Sequence, residues 1–155
     1  MKVVLDTTYY IPLAGVSLPR DLDTVLPRVR ERFSIVLTDV NLLEVAATLA
    51  KWVVGGRIGK ARGEQVIATL LADPKIERVN MGTAGALHHA MSLRSFHPDF
   101  HDCLLLAESL LRADVLLTED EDLRKLAAKE AVRGLAARVN PAFAVTTPRE
   151  FFGRR

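Results

Sequence analysis

A single-domain α/β/α sandwich, built on a central and mostly parallel sheet of about five strands, is the expected architecture of this 155-residue chain. Three observations lead to it. Short, wholly apolar runs such as Val3-Val4-Leu5 and Val115-Leu116-Leu117 read as strands buried on both faces. These runs alternate with longer segments whose apolar residues recur at helical spacing, the pattern of strands joined by helical crossovers. The length and a 49% hydrophobic content suffice for one core, and no repeat or low-complexity linker divides the chain.

The elements follow in order. Residues 2 to 5 form a first strand, and Asp6-Thr7-Thr8 begins a short helical turn that Pro12 and Gly15 interrupt. Asp21 to Phe33 has a helical pattern despite Pro27, and Ile35-Val36-Leu37 is a second strand ending at the N-cap pair Thr38-Asp39. The helix that follows runs to Val54, where Gly55-Gly56 stops it. Its apolar stripe is Leu42, Leu43, Ala46, Ala47, Leu49, Ala50, Val53 and Val54. Arg62 to Ala72 is amphipathic, Ile76 to Val79 is a third strand, and Thr83 to Leu93 is helical. Pro98 opens an apolar helix reaching Ala113. A strand at 115 to 118, a helix from Glu119 to Val132, a strand near Phe143 to Val145 and a turn after Pro148 complete the chain.

Composition excludes several classes. Cys103 is the only cysteine, so an intramolecular disulfide framework and a cysteine zinc site are both ruled out, and a reducing cytoplasm fits. No run approaches the roughly 18 apolar residues of a membrane span, and a secretory leader is not indicated. The net charge of +2 is unevenly spread. Arg124 to Arg155 holds eight basic residues against Glu130 and Glu150, and the remainder is net acidic, which suits an acidic site beside a polyanion track.

Four acids carry the chemistry. Asp6 follows the first strand, and capping of the next turn is its ordinary role. Thr118-Glu119-Asp120-Glu121 fits a capping box with Thr118 as N-cap and Asp120 in the first helical turn, and local sequence does not choose between Glu119 and Asp120. Asp102 lies on a mostly apolar helical face, where a carboxylate needs a partner, and a second capping box with Asp99 is its simplest explanation. Glu44 lies just off an apolar stripe, and periodicity alone makes it a solvent-exposed residue.

As a set, these acids resemble the pattern of the PIN-domain nucleases, including VapC-type toxins. The matching segments are Val3-Val4-Leu5-Asp6-Thr7, Leu42-Leu43-Glu44-Val45, His101-Asp102-Cys103-Leu104-Leu105-Leu106-Ala107-Glu108 and Leu117-Thr118-Glu119-Asp120-Glu121-Asp122-Leu123. The resemblance spans nearly the whole chain in the family's order. It selects Asp120 over Glu119 and treats Asp122 as an exposed helix residue. Thr8 departs from it, standing where many relatives have Asn or Ser.

The resemblance implies a metal-dependent ribonuclease, with Mg²⁺ or Mn²⁺ held by Asp6, Glu44, Asp102 and Asp120 for phosphodiester hydrolysis. Thr7, Thr8 and Thr118 are the supporting polar residues. Arg124 and Lys125 are the first candidates for RNA phosphates, followed by Lys51, Arg57, Lys60 and Arg62. A small antitoxin protein and a homodimer, with Trp52 or Val53 contributing, are the expected partners. The alternative is a non-catalytic RNA-binding or scaffold member of the same fold. His101-Asp102 also brings to mind an all-helical HD phosphohydrolase, which the strands exclude. A haloacid-dehalogenase-like phosphatase needs an acid where Thr8 stands.

Overall fold

The computed structural model describes residues 1–19, 22–80 and 83–153. Asp21, the expected start of the first helix, and Arg154 and Arg155 of the basic segment lie outside the described residues. Five parallel strands form one sheet in the order β3-β2-β1-β4-β5, with β1 Lys2–Leu5, β2 Ser34–Thr38, β3 Ile76–Val79, β4 Val115–Leu117 and β5 Ala144–Thr146. The chain builds outward from β1 through β2 to β3, then crosses to β4 and β5. Strand order therefore reverses between β1 and β4, where the carboxyl ends of adjacent strands open a crevice.

Period-two alternation assigns each strand residue to one of two cores. Val3, Leu5, Ile35, Leu37, Val115 and Leu117 face one layer. That layer contains a 3-10 helix Thr7–Ala14, α1 Val25–Arg32, α2 Asp39–Val54, α3 Lys60–Ala72 and α8 Pro148–Gly153. Val4, Val36 and Leu116 face the other, with α4 Ala84–Leu93, α5 Phe100–Arg112, α6 Glu121–Ala128 and α7 Glu130–Val139. No helix among the described residues is long and apolar enough to cross a membrane.

Several boundaries differ from the sequence reading for local reasons. The 3-10 helix runs through Pro12 and ends at Gly15, whose φ of +82° is a left-handed conformation suited to glycine. A short 3-10 turn, Leu22–Thr24, precedes α1, and Pro27 falls in the first turn of α1, where its missing N–H breaks no helical bond. Pro98 stands ahead of α5, and Asp99 caps that helix by accepting from the His101 N–H at 2.7 Å. The single helix expected from Glu119 to Val132 is two, because Lys129 is extended (ψ 140°) and separates α6 from α7. On α2 the buried residues are Val40, Asn41, Val45 and Leu49, whereas Leu43 and Val54 are exposed. The true inward face is rotated from the apolar stripe, because α2 packs on the 3-10 helix and the strands as well as on α3.

Asn41 fastens α2 to the central strand. Wholly buried, it donates from Nδ2 to the Leu5 carbonyl at 3.2 Å, and its Oδ1 accepts from the Thr38 hydroxyl at 3.0 Å. Thr38 in turn caps α2 by accepting from the Asn41 N–H. Asn41→Leu strands these partners without solvent. It is expected to destabilise the protein by roughly 2–3 kcal/mol, read as a lowered midpoint in urea denaturation.

Candidate functional site

The end of β1 and the end of β4 meet at one hydroxyl. The Asp6 N–H donates to the Leu117 carbonyl at 2.9 Å, continuing the strand pairing one residue past β1. Thr118, fully buried, donates from Oγ1 to Asp6 Oδ2 at 2.5 Å and accepts from the Asp120 N–H at 2.9 Å. One side chain thus orients the first acid and the backbone that carries the second. Thr118 is not the N-cap of α6. Asp120 is, with Oδ1 accepting from the N–H groups of Asp122 and Leu123 at 2.7 and 3.0 Å. Asp6 occupies the N-cap position of the 3-10 helix without a side-chain cap bond.

The other two acids arrive from opposite layers. Glu44, one turn into α2, accepts from the Thr7 hydroxyl through Oε2 at 2.5 Å, so a residue that periodicity leaves to solvent is tied to the segment directly after Asp6. Asp102 accepts from His97 Nε2 at 2.7 Å through Oδ2, not from the backbone at Asp99, so no second capping box forms. His97 belongs to the loop before α5, and its carbonyl accepts from Arg94 at 3.1 Å. His97, and not the adjacent His101, is the partner of Asp102. The only local signal is its place five residues ahead of Asp102 and directly before Pro98. Asn41, whose Nδ2 lies 3.5 Å from the Thr7 hydroxyl, also escaped notice because a buried asparagine leaves no periodic signature. Thr8 is exposed.

Electrostatics join the four acids in a row. Burial pushes the Asp6 carboxyl from 3.8 up to about 6. The Thr118 hydrogen bond opposes the shift, while the charges of Glu44 and Asp120 add to it. Asp102 is also raised, first by burial, against the lowering effect of His97, with Asp99 and Asp120 contributing. Asp120 is therefore felt by both Asp6 and Asp102, and Glu44 by Asp6. Among the described residues no three His, Cys, Asp or Glu side chains are close enough to hold a metal ion as they stand. Glu44, Asp102 and Asp120 are each anchored through one oxygen, and no described group donates a hydrogen bond to the second.

The basic candidates are placed less favourably. Lys125 lies 3.3 Å from both Glu121 and Asp122. The buried Nε of Arg124 has no hydrogen-bond partner among the described residues. Lys60 pairs with Glu64, Arg62 donates to the Leu13 carbonyl, and Arg57 lies over the half-buried Trp52 ring.

The raised Asp6 makes a prediction about stability. Its folded-state pKa exceeds its unfolded value, so its contribution is most favourable below about pH 4 and is lost as pH rises through about 6. Asp6→Asn removes that penalty and retains an acceptor for Thr118. In EDTA at pH 8 this variant is expected to be more stable than the parent by up to ~3 kcal/mol, and the gain should shrink steeply towards pH 4. Thermal melts at the two pH values measure it. A variant less stable than the parent at pH 8 would contradict the assignment of a carboxylate raised by burial and neighbouring charge.

Comparison with known proteins places the fold and the family. The PIN domain family model matches residues 3–129. No curated protein matches the sequence. Among solved structures, VapBC2 from Rickettsia felis, crystallised with a DNA fragment from its promoter, superposes with a TM-score of 0.63 at 14% identity, covering 94% of this chain and 97% of the other. FitAcB from Neisseria gonorrhoeae gives 0.60 at 14% identity with the same coverages. A toxin–antitoxin complex from Klebsiella pneumoniae gives 0.54 at 19% identity, covering 77% and 88%. At such identities the structural likeness is one of fold, while the family model spans most of the sequence, and on that match the chain belongs to the PIN domain family.

Proposed function

We propose that this protein is a metal-dependent endoribonuclease and the toxin of a toxin–antitoxin pair, acting in the cytoplasm. The observation that carries the reading is Asp6: a half-buried carboxyl raised to about 6, with Glu44 and Asp120 adding to the shift, at the reversal point of a parallel sheet. A site built for stability would not gather like charges there. A divalent cation relieves that repulsion, and an all-carboxylate donor set suits Mg²⁺ or Mn²⁺.

Asp6, Glu44, Asp102 and Asp120 would hold the ion, which when bound supplies an activated water and neutralises charge on the phosphate. The chain's own residues do the positioning. Thr118 holds Asp6, Thr7 holds Glu44, His97 holds Asp102, and the first turn of α6 holds Asp120 through its backbone N–H groups. These contacts restrain the rotamer of each carboxylate, and because no three of them stand close enough for an ion among the described residues, binding draws the acids together. An antitoxin partner is in keeping with the similar fold from Klebsiella pneumoniae, which was solved in a toxin–antitoxin complex. For the homodimer, Trp52 and Val53 are half-buried, whereas Leu87, Met91, Phe96 and Phe100 are exposed and provide the better apolar surface.

Asp6→Asn and Asp120→Asn are each expected to lower metal-dependent cleavage of a single-stranded RNA by at least about 100-fold with circular dichroism unchanged. Activity that survives either substitution, or that persists in EDTA, would sink the assignment of this metal site, and a purified parent that cleaves no RNA with Mg²⁺ or Mn²⁺ would favour the non-catalytic RNA-binding or scaffold role.

A further inference from the structure

A row of carboxylates repels a polyanion, so a strand brought to it needs cations and stacking surfaces alongside. An open hollow of roughly 430 Å³ lies between α1 and α8, and Glu119, the residue between Thr118 and Asp120, forms part of its wall. Arg28 and Arg149 line this hollow; both are exposed, and neither pairs with a described carboxylate. The guanidinium carbon of Arg28 lies 3.8 Å from the centroid of the Phe152 ring. Phe152 is set edge-to-face against the buried Phe151 at 5.3 Å, and Phe151 likewise against Phe33 at 5.3 Å, so a partly buried aromatic cluster carries the ring beneath the guanidinium.

We propose that this hollow is the track for single-stranded RNA next to the scissile phosphate. A base stacks on the Arg28 guanidinium backed by Phe152, and Arg149 meets a backbone phosphate. A planar guanidinium fixed on a ring keeps its N–H donors at its edge and offers a delocalised face to any base, which is how unpaired RNA is commonly held. The hollow suits single strands because stacking needs an unstacked base. The inference rests on the ribonuclease reading and adds to it where the substrate lies: across Glu119, on the α8 side of the sheet rather than along Arg124 and Lys125.

The test is fluorescence anisotropy with an end-labelled oligoribonucleotide of mixed sequence in EDTA, so that binding is read without cleavage. Cleavage of the same oligonucleotide is then followed with Mg²⁺ or Mn²⁺. Arg28→Ala and Arg149→Ala are each expected to weaken binding at least fivefold. For Arg149→Ala, the slope of log affinity against log salt should fall by about 0.7, the loss of one phosphate contact. Arg28→Lys should keep the salt slope but not recover the affinity, since an ammonium cannot stack. Arg78→Ala, on β3 at the opposite sheet edge, is the matched control and should bind as the parent does. If the parent cleaves with metal while both alanine variants bind within twofold of it, the track is overturned and the nuclease reading stands. If the parent neither binds nor cleaves the oligonucleotide, the nuclease reading fails and the track fails with it.

Discussion

The hydrogen bonds of the Thr118 hydroxyl organise the site. That single group donates to Asp6 and accepts from the Asp120 backbone, so the two acid-bearing strand ends are held together by one buried side chain. It can do so only because β1 and β4 are parallel neighbours, and the extra bond from the Asp6 N–H to the Leu117 carbonyl keeps them in step beyond the last strand residue. Glu44 is attached to this junction through Thr7, and Asp102 is braced by His97 from the helical layer opposite. Each acid thus comes from a different element, and the sheet is the common frame that brings those elements to one edge.

That frame carries an electrostatic penalty. A carboxyl left half-buried beside two others holds its proton more tightly than in water, which is why Asp6 is raised despite a charge-favouring hydroxyl. The surrounding structure sustains it because the strands beneath are wholly buried and because Asn41 locks α2 against the Leu5 carbonyl one residue before the acid. Stability stored in the two apolar cores is therefore set against repulsion at the sheet edge.

Much of the architecture was legible because its signals are local. The strands Val3-Val4-Leu5 and Val115-Leu116-Leu117 are apolar at every position since both faces are covered. Where the reading failed, a packing decision outweighed a local one. Leu43 and Val54 belong to the apolar stripe of α2 yet point outward, because contact with the 3-10 helix selects Val45 and Leu49. The break at Lys129 has no proline or glycine to announce it. The expected Thr118 cap was overruled by a long-range hydrogen bond to Asp6, 112 residues away, and Asp120 took over the capping.

Residue order and hydropathy were enough to establish the alternating layers and the strand ends at which acids sit, because each depends on neighbours a few positions away, while the set of four carboxylates came from the family resemblance alone. Pairing between distant segments decided the remainder. Glu44 meets Thr7 and His97 meets Asp102, while Arg28 stacks on Phe152 across 124 positions of chain. A contact of that kind leaves no periodic trace, since its two halves are matched in space by the sheet and not in sequence.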